Sequence, residues 1–163
     1  MIVIKDATVL ILLAKGMLLR ESCEYFGGVV IPQQVKDEVT NDKPDSAIIN
    51  MLIKEKIITV KKIKNKDYIT KANEFNVQRG EAEAVALYWE SNANLLATDD
   101  DNVRKKRELL QINTIGTPAI MLKMYQKRKI SKEKLLRSID IIKKIGWFSS
   151  TIWDKINLEV QNE

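Results

Sequence analysis

Leu95-Leu96-Ala97-Thr98-Asp99-Asp100-Asp101 is a short apolar run that stops in three consecutive carboxylates. Ile2-Val3-Ile4-Lys5-Asp6 repeats the arrangement near the start of the chain, with an acid soon after three apolar residues. Short apolar runs of this kind read as buried strands. Acids placed at the ends of such strands point to a site for a hard cation, which prefers carboxylate oxygens.

Between and beyond these runs, strand-like and helix-like segments alternate. A helix is expected from about Thr8 through Ala14, interrupted at Gly16. Val29-Val30-Ile31 is a second strand, and Pro32 suits the first turn of a helix through Val39. Asp45 or Ser46 can cap the next helix, ahead of the strand Ile57-Ile58-Thr59-Val60. A charged helix follows around Tyr68 to Phe75. Gly80 to Glu90 is a helix apolar on most sides and therefore buried. Asn94 to Ala97 is a strand, and a basic helix is expected from about Asn102 to Leu110. Ile112 to Ile115 is the last strand, with Thr117-Pro118 as cap and first turn of a helix to about Arg128. Ser131 caps a further helix to about Ile145, and a short helix lies between Ser150 and Val160. This alternation predicts an α/β protein, a three-layer α/β/α sandwich around a central parallel sheet.

A chain of 163 residues fits one domain with a real core. It contains no His, which excludes Ser-His-Asp and Cys-His catalysis and His-ligated zinc. The single Cys23 forms no internal disulfide, builds no thiolate metal site, and reads as a small buried hydrophobe. Six glycines form neither GxGxxG nor GxxxxGK[ST], so dinucleotide and P-loop cradles are absent. The chemistry left is carboxylate, hydroxyl, Lys and Arg, a set that favours Mg²⁺ or Mn²⁺. A net charge of +5 suits a polyanionic partner. No apolar run approaches the roughly 20 residues of a membrane span. The start lacks the pattern of a secretory signal, so a cytoplasmic protein is expected.

In open α/β sheets, ligands bind outside the carboxyl ends of the strands. Asp6 and the Asp99–Asp101 triplet would converge there if their strands are central and parallel. Each acid alone can equally serve as a helix cap, but one helix end does not need three. Two further acids follow from helical phase. Glu38 borders the inward stripe of Val35 and Val39, while Lys36 and Asp37 turn away. Glu81 and Glu83 lie about 200° apart around a helix. Glu81 shares a face with Val85 and Tyr88, and Glu83 with Glu90, so Glu81 is the inward acid.

These segments together resemble PIN domains. Asp6-Ala7-Thr8-Val9-Leu10-Ile11 is similar to the family's opening acid-and-hydroxyl motif, although Ala7 stands where Thr or Ser is common. Val35 to Val39 resembles the second acid, Gly80 to Ala84 the third, and Leu95 to Asp100 the fourth. Ile112 to Thr117 resembles the last strand and turn. The resemblance implies a flavodoxin-like sandwich over residues 1–130, with 131–163 as a helical extension packed on the same domain. It implies a metal-dependent endoribonuclease in which Asp6, Glu38, Glu81, Asp99 and Asp100 are the catalytic acids. Of these, Asp6, Glu81 and Asp99 or Asp100 would hold one or two Mg²⁺ or Mn²⁺ ions, with Thr8 and Thr98 supporting them. Family spacing favours Asp100 as the fourth acid and strand-end placement favours Asp99; Asp101 is a candidate cap. Many small prokaryotic members are toxins, which implies RNA as substrate and a small antitoxin or a homodimer as partner.

Arg104, Lys105 and Arg107 follow the acids and are candidates for contacting RNA phosphates, against a plain solvated helix face. Trp147-Phe148 and Trp153 either pack the tail on the body or form an interface. Two other readings compete. One is a silent PIN-like module that binds RNA or protein. The other is a different Mg²⁺-dependent phosphohydrolase, although an aspartyl-nucleophile phosphatase needs Asp-x-Asp where this chain has Asp6-Ala7-Thr8.

Overall fold

Five short aliphatic runs form strands because their branched side chains fill a surface buried on both faces. They are β1 (Val3–Lys5), β2 (Val29–Pro32), β3 (Ile58–Lys61), β4 (Leu95–Ala97) and β5 (Thr114–Ile115). In the computed structural model, which describes every residue except Asp42, Gly146, Trp147 and Glu163, all strand pairs are parallel. The order is β3-β2-β1-β4-β5. Ile4 sits opposite Val30 on one side and Leu96 on the other. The layers are those of flavodoxin, with the strands in another order. The order reverses between β1 and β4, and this switch point is where an open sheet leaves its crevice.

The described helices are α1 (Ala7–Lys15), α2 (Leu19–Tyr25), α3 (Gln33–Val39), α4 (Ser46–Lys54), α5 (Asp67–Glu74), α6 (Arg79–Glu90), α7 (Asp101–Lys105), α8 (Arg107–Leu110), α9 (Thr117–Gln126), α10 (Lys132–Lys143) and α11 (Ser150–Gln161). Period-two alternation along the strands splits the core in two. Val3, Val29, Ile31 and Ala97 face the larger half with α1, α2, α4 and α9 to α11. Ile4 and Leu96 face the smaller half with α5 to α8. Leu135, Ile139, Ile142, Trp153, Ile156 and Val160 belong to the larger half, so the helices beyond residue 130 share its packing. Gly16 lets them approach: a Cβ there would lie 2.9 Å from Ile142 Cδ1. Among the described residues no helix is long and apolar enough to cross a membrane.

Several local expectations are corrected. The basic segment is two short helices, α7 and α8, broken at Lys106, whose ammonium donates to Phe75 O at 2.7 Å. Gly116 rather than Thr117 is the cap residue of α9, because the Thr117 side chain is engaged elsewhere. Pro32 ends β2 and is the cap residue of α3 rather than lying in its first turn. Trp147 lies outside the described residues. Trp153 is buried in the core, with Phe148 edge-on to it at 5.6 Å.

Candidate active site

Asp6 follows β1 and caps α1. Its Oδ1 accepts from the Val9 N–H at 3.1 Å and the Thr8 hydroxyl at 2.8 Å, and its Oδ2 accepts from the Thr98 hydroxyl. Only 3% of Asp6 is exposed. Burial pushes its carboxyl up to about 7, against the pull of those three hydrogen bonds, and the charge of Asp99 adds to the rise. Thr98 connects two strand ends: it donates to Asp6, and its oxygen accepts from the Asp100 N–H at 3.1 Å.

The triplet divides its labour. Asp99 turns toward β5 and α9, where Oδ1 accepts from the Thr117 N–H at 2.7 Å and Oδ2 from the Thr117 hydroxyl at 2.5 Å. Burial raises the Asp99 carboxyl, while Thr117 and the Arg104 charge hold it down. Asp100 is the cap of α7, accepting from the Val103 N–H at 2.8 Å. Asp101, the candidate cap, is instead the exposed first residue of that helix. The sequence left Asp99 and Asp100 as alternatives. The structure gives each its own neighbours: Asp99 lies by Asp6, and Asp100 lies by Glu81.

Glu81 stands in the first turn of α6. Burial raises its carboxyl, its own backbone N–H opposes this, and the charges of Asp100 and Glu38 raise it further. Glu38 reaches α6 where no side chain intervenes: a Cβ on Gly80 would lie 2.6 Å from Glu38 Oε1. Glu83 points elsewhere and accepts from the Gln34 N–H of α3 at 2.9 Å, tying α3 to α6. Arg79 opens α6 with φ of 55°, a left-handed conformation uncommon outside glycine, and its charge favours ionised Glu81.

Five acids from four parts of the chain, Asp6 after β1, Glu38 on α3, Glu81 on α6 and Asp99 with Asp100 after β4, therefore lie toward the carboxyl ends of β1 and β4. Among the described residues, no three are gathered closely enough to enclose a metal ion. An all-oxygen donor set with carboxylates raised by burial and by one another still fits a hard divalent cation. Mg²⁺ keeps much of its water shell and typically takes only one or two protein carboxylates.

Of the basic residues, Arg104 is in place beside the acids. A Cβ on Gly116 would lie 2.9 Å from Asp99 Oδ1 and 3.4 Å from Arg104 Nη1. Arg107 donates to Arg104 O at 2.7 Å, and Lys105 is exposed on α7. Arg79 was not singled out in the sequence, and Thr117, Gly80 and Gly116 were read there as a cap, a helix start and a turn rather than as residues of the site. A Gly-Thr pair at the end of the last strand was the available signal for two of them.

The DUF3368 family model, described as a PIN domain, matches residues 2–161. No curated protein and no solved structure matches the chain. The chain belongs to the PIN-domain family, whose members are generally nucleases and generally use divalent metal ions.

Proposed function

We propose that this protein is a cytoplasmic, Mg²⁺- or Mn²⁺-dependent endoribonuclease that serves as the toxin of a toxin–antitoxin pair. Its nuclease site would lie in residues 1–130, with 131–163 as a covering extension. The observation that carries the reading is Asp6: a carboxyl sealed at the end of the central strand, oriented by three donors, pushed up to about 7 and set beside Asp99. A group so placed gains from a cation and, among the described residues, has no lysine or arginine as hydrogen-bond partner.

Asp6, Glu81, Asp99 and Asp100 would hold the ion, with Glu38 completing the acid set. When bound, a divalent cation neutralises the carboxylates, lowers the pKa of a water and stabilises charge on the phosphoryl oxygens. The residues supply the rest. Thr8 and Thr98 fix the Asp6 carboxylate. Thr117 fixes Asp99. Arg104, half-buried beside Asp99, meets a phosphate of the strand. No imidazole is required.

The test is cleavage of single-stranded RNA by purified protein with Mg²⁺ or Mn²⁺. The expected result is cutting that EDTA and Asp6→Asn each abolish while the fold is retained. Cutting indifferent to both would sink the proposal. RNA binding without metal-dependent products would mark a silent module, and turnover of a small phosphomonoester would mark a phosphatase.

A further inference from the structure

Beside the acids, α9 and α11 leave a cleft of about 270 Å³. It lies just below the range of about 300–1,000 Å³ for pockets that take drug-sized ligands, so it has room for one ring system. Its lining combines the apolar Leu122, Phe148 and Ile152 with the cations of Arg104 and Lys155. It is continuous with the acids, because Arg104 and Gly116 border both. Tail packing covers Phe148 and Ile152 only in part. Trp153 and Val160 already anchor α11 in the core, whereas Phe148 and Ile152 are left half-buried. Glu159, the acid of the lining, accepts from Gln126 Nε2 at 3.0 Å.

We propose that this cleft receives the unpaired base of a nucleotide next to the scissile phosphate, with Arg104 and Lys155 meeting the phosphates on either side. The proposal rests on the nuclease reading above and adds what part of the substrate is held. A cleft lined by an aromatic ring and two cations matches a nucleotide: the base stacks or packs on Phe148, and the backbone meets the charges. A base inside a duplex is paired and stacked and cannot enter such a slot without being extruded. The cleft therefore selects unpaired RNA.

Binding in EDTA tests this without depending on cleavage. The probe is a short labelled single-stranded oligoribonucleotide at low salt, titrated with the full chain. Ala119 is exposed on α9 and lines the cleft, so Ala119→Trp fills the slot without touching the core. It should weaken binding about tenfold or more, the scale of one lost stacking contact. Phe148→Leu, which keeps apolar volume but removes the ring, should weaken it several-fold. Leu158→Trp adds the same bulk on an exposed part of α11 outside the cleft and should change nothing. Replacing one nucleotide of the probe by an abasic one should cost wild type affinity at a single position and cost Ala119→Trp nothing. The duplex form of the probe should bind more weakly. Equal binding by wild type and Ala119→Trp, or no binding by wild type, overturns the proposal. Failure to cut with Mg²⁺ overturns the nuclease reading separately, since the cleft is judged by binding alone.

Discussion

Lys5 ends the central strand and Asp6 follows it, 0% and 3% exposed, yet the two side chains meet different surroundings. Lys5 points into the larger core. Its ammonium donates to Ser22 Oγ at 2.5 Å and lies 5.5 Å from the centre of the Phe26 ring, and burial lowers its pKa. Asp6 sits one residue later, where the strand stops and the crevice opens. Two buried ionisable groups thus differ in what could relieve them. Lys5 is enclosed by partners of the fold, whereas Asp6 has the like charge of Asp99 beside it. Burial of charge alone does not mark a site; burial at a strand end beside like charges does.

The largest contrast is in activity. Asp6→Asn should abolish metal-dependent cleavage, a loss of about a thousandfold or more if the carboxylate holds the ion. Lys5→Met should cut at the wild-type rate. Loss of cutting in Lys5→Met, with the fold intact by circular dichroism, would move Lys5 into the machinery and break the contrast.

Stability should separate the pair next. Lys5→Ala leaves a cavity in the core and should cost about 2–5 kcal/mol in urea unfolding, as other large-to-small core changes do. Lys5→Met fills the same space without a buried amine and should be close to neutral. Ser22 keeps its hydroxyl donation to Leu19 O at 2.9 Å in either variant.

Their pH dependences should run in opposite directions. Between 3.8 and about 7, unfolded Asp6 gives up a proton that folded Asp6 retains. Stability of the metal-free protein therefore falls as pH rises through that window. The ceiling of the effect is about 4 kcal/mol, from the size of the shift, and Asp6→Asn should flatten the slope. Lys5 is lowered from 10.5, so the unfolded chain holds a proton that the folded chain releases, and stability rises with pH up to that value. Mg²⁺ or Mn²⁺ should raise the melting temperature at pH 8, do so less at pH 5, and leave Asp6→Asn unmoved. An equal rise in Asp6→Asn would place the ion elsewhere.

Much of this was open to reading in the sequence, and the reason is periodicity. Runs such as Val29-Val30-Ile31 and Leu95-Leu96-Ala97 name strands, and their alternation with helices names the layered sheet. Helical phase separated Glu81 from Glu83, which in the structure faces Gln34. What stayed hidden depends on neighbours across the sheet. Asp99 meets Thr117 only because β5 lies against β4, and nothing local says that Asp100 rather than Asp101 caps α7. The burial of Lys5 was equally silent, since a lysine beside an acid normally reads as strand-end polarity. The break at Lys106 depends on a carbonyl from the loop after α5.

The smallest effect is the sharpest test of Glu38, the acid carried by α3. A Cβ on Gly80 would lie 2.6 Å from Glu38 Oε1 and 3.1 Å from its Cδ. The obstructing atoms are the far end of a flexible side chain, so Gly80→Ala displaces Glu38 rather than α6. Alanine also suits a helix better than glycine, by about 1 kcal/mol, so stability should hold or rise slightly. If Glu38 works with Glu81, Gly80→Ala should slow cleavage about tenfold, equivalent to 1.4 kcal/mol of barrier. Glu38→Gln should slow it as well, and the double variant should be no slower than the worse single one, because both act on one carboxylate. Wild-type cutting by Gly80→Ala would leave Glu38 as a buttress between α3 and α6, and the working acids would then be those on the Asp6 side and Glu81.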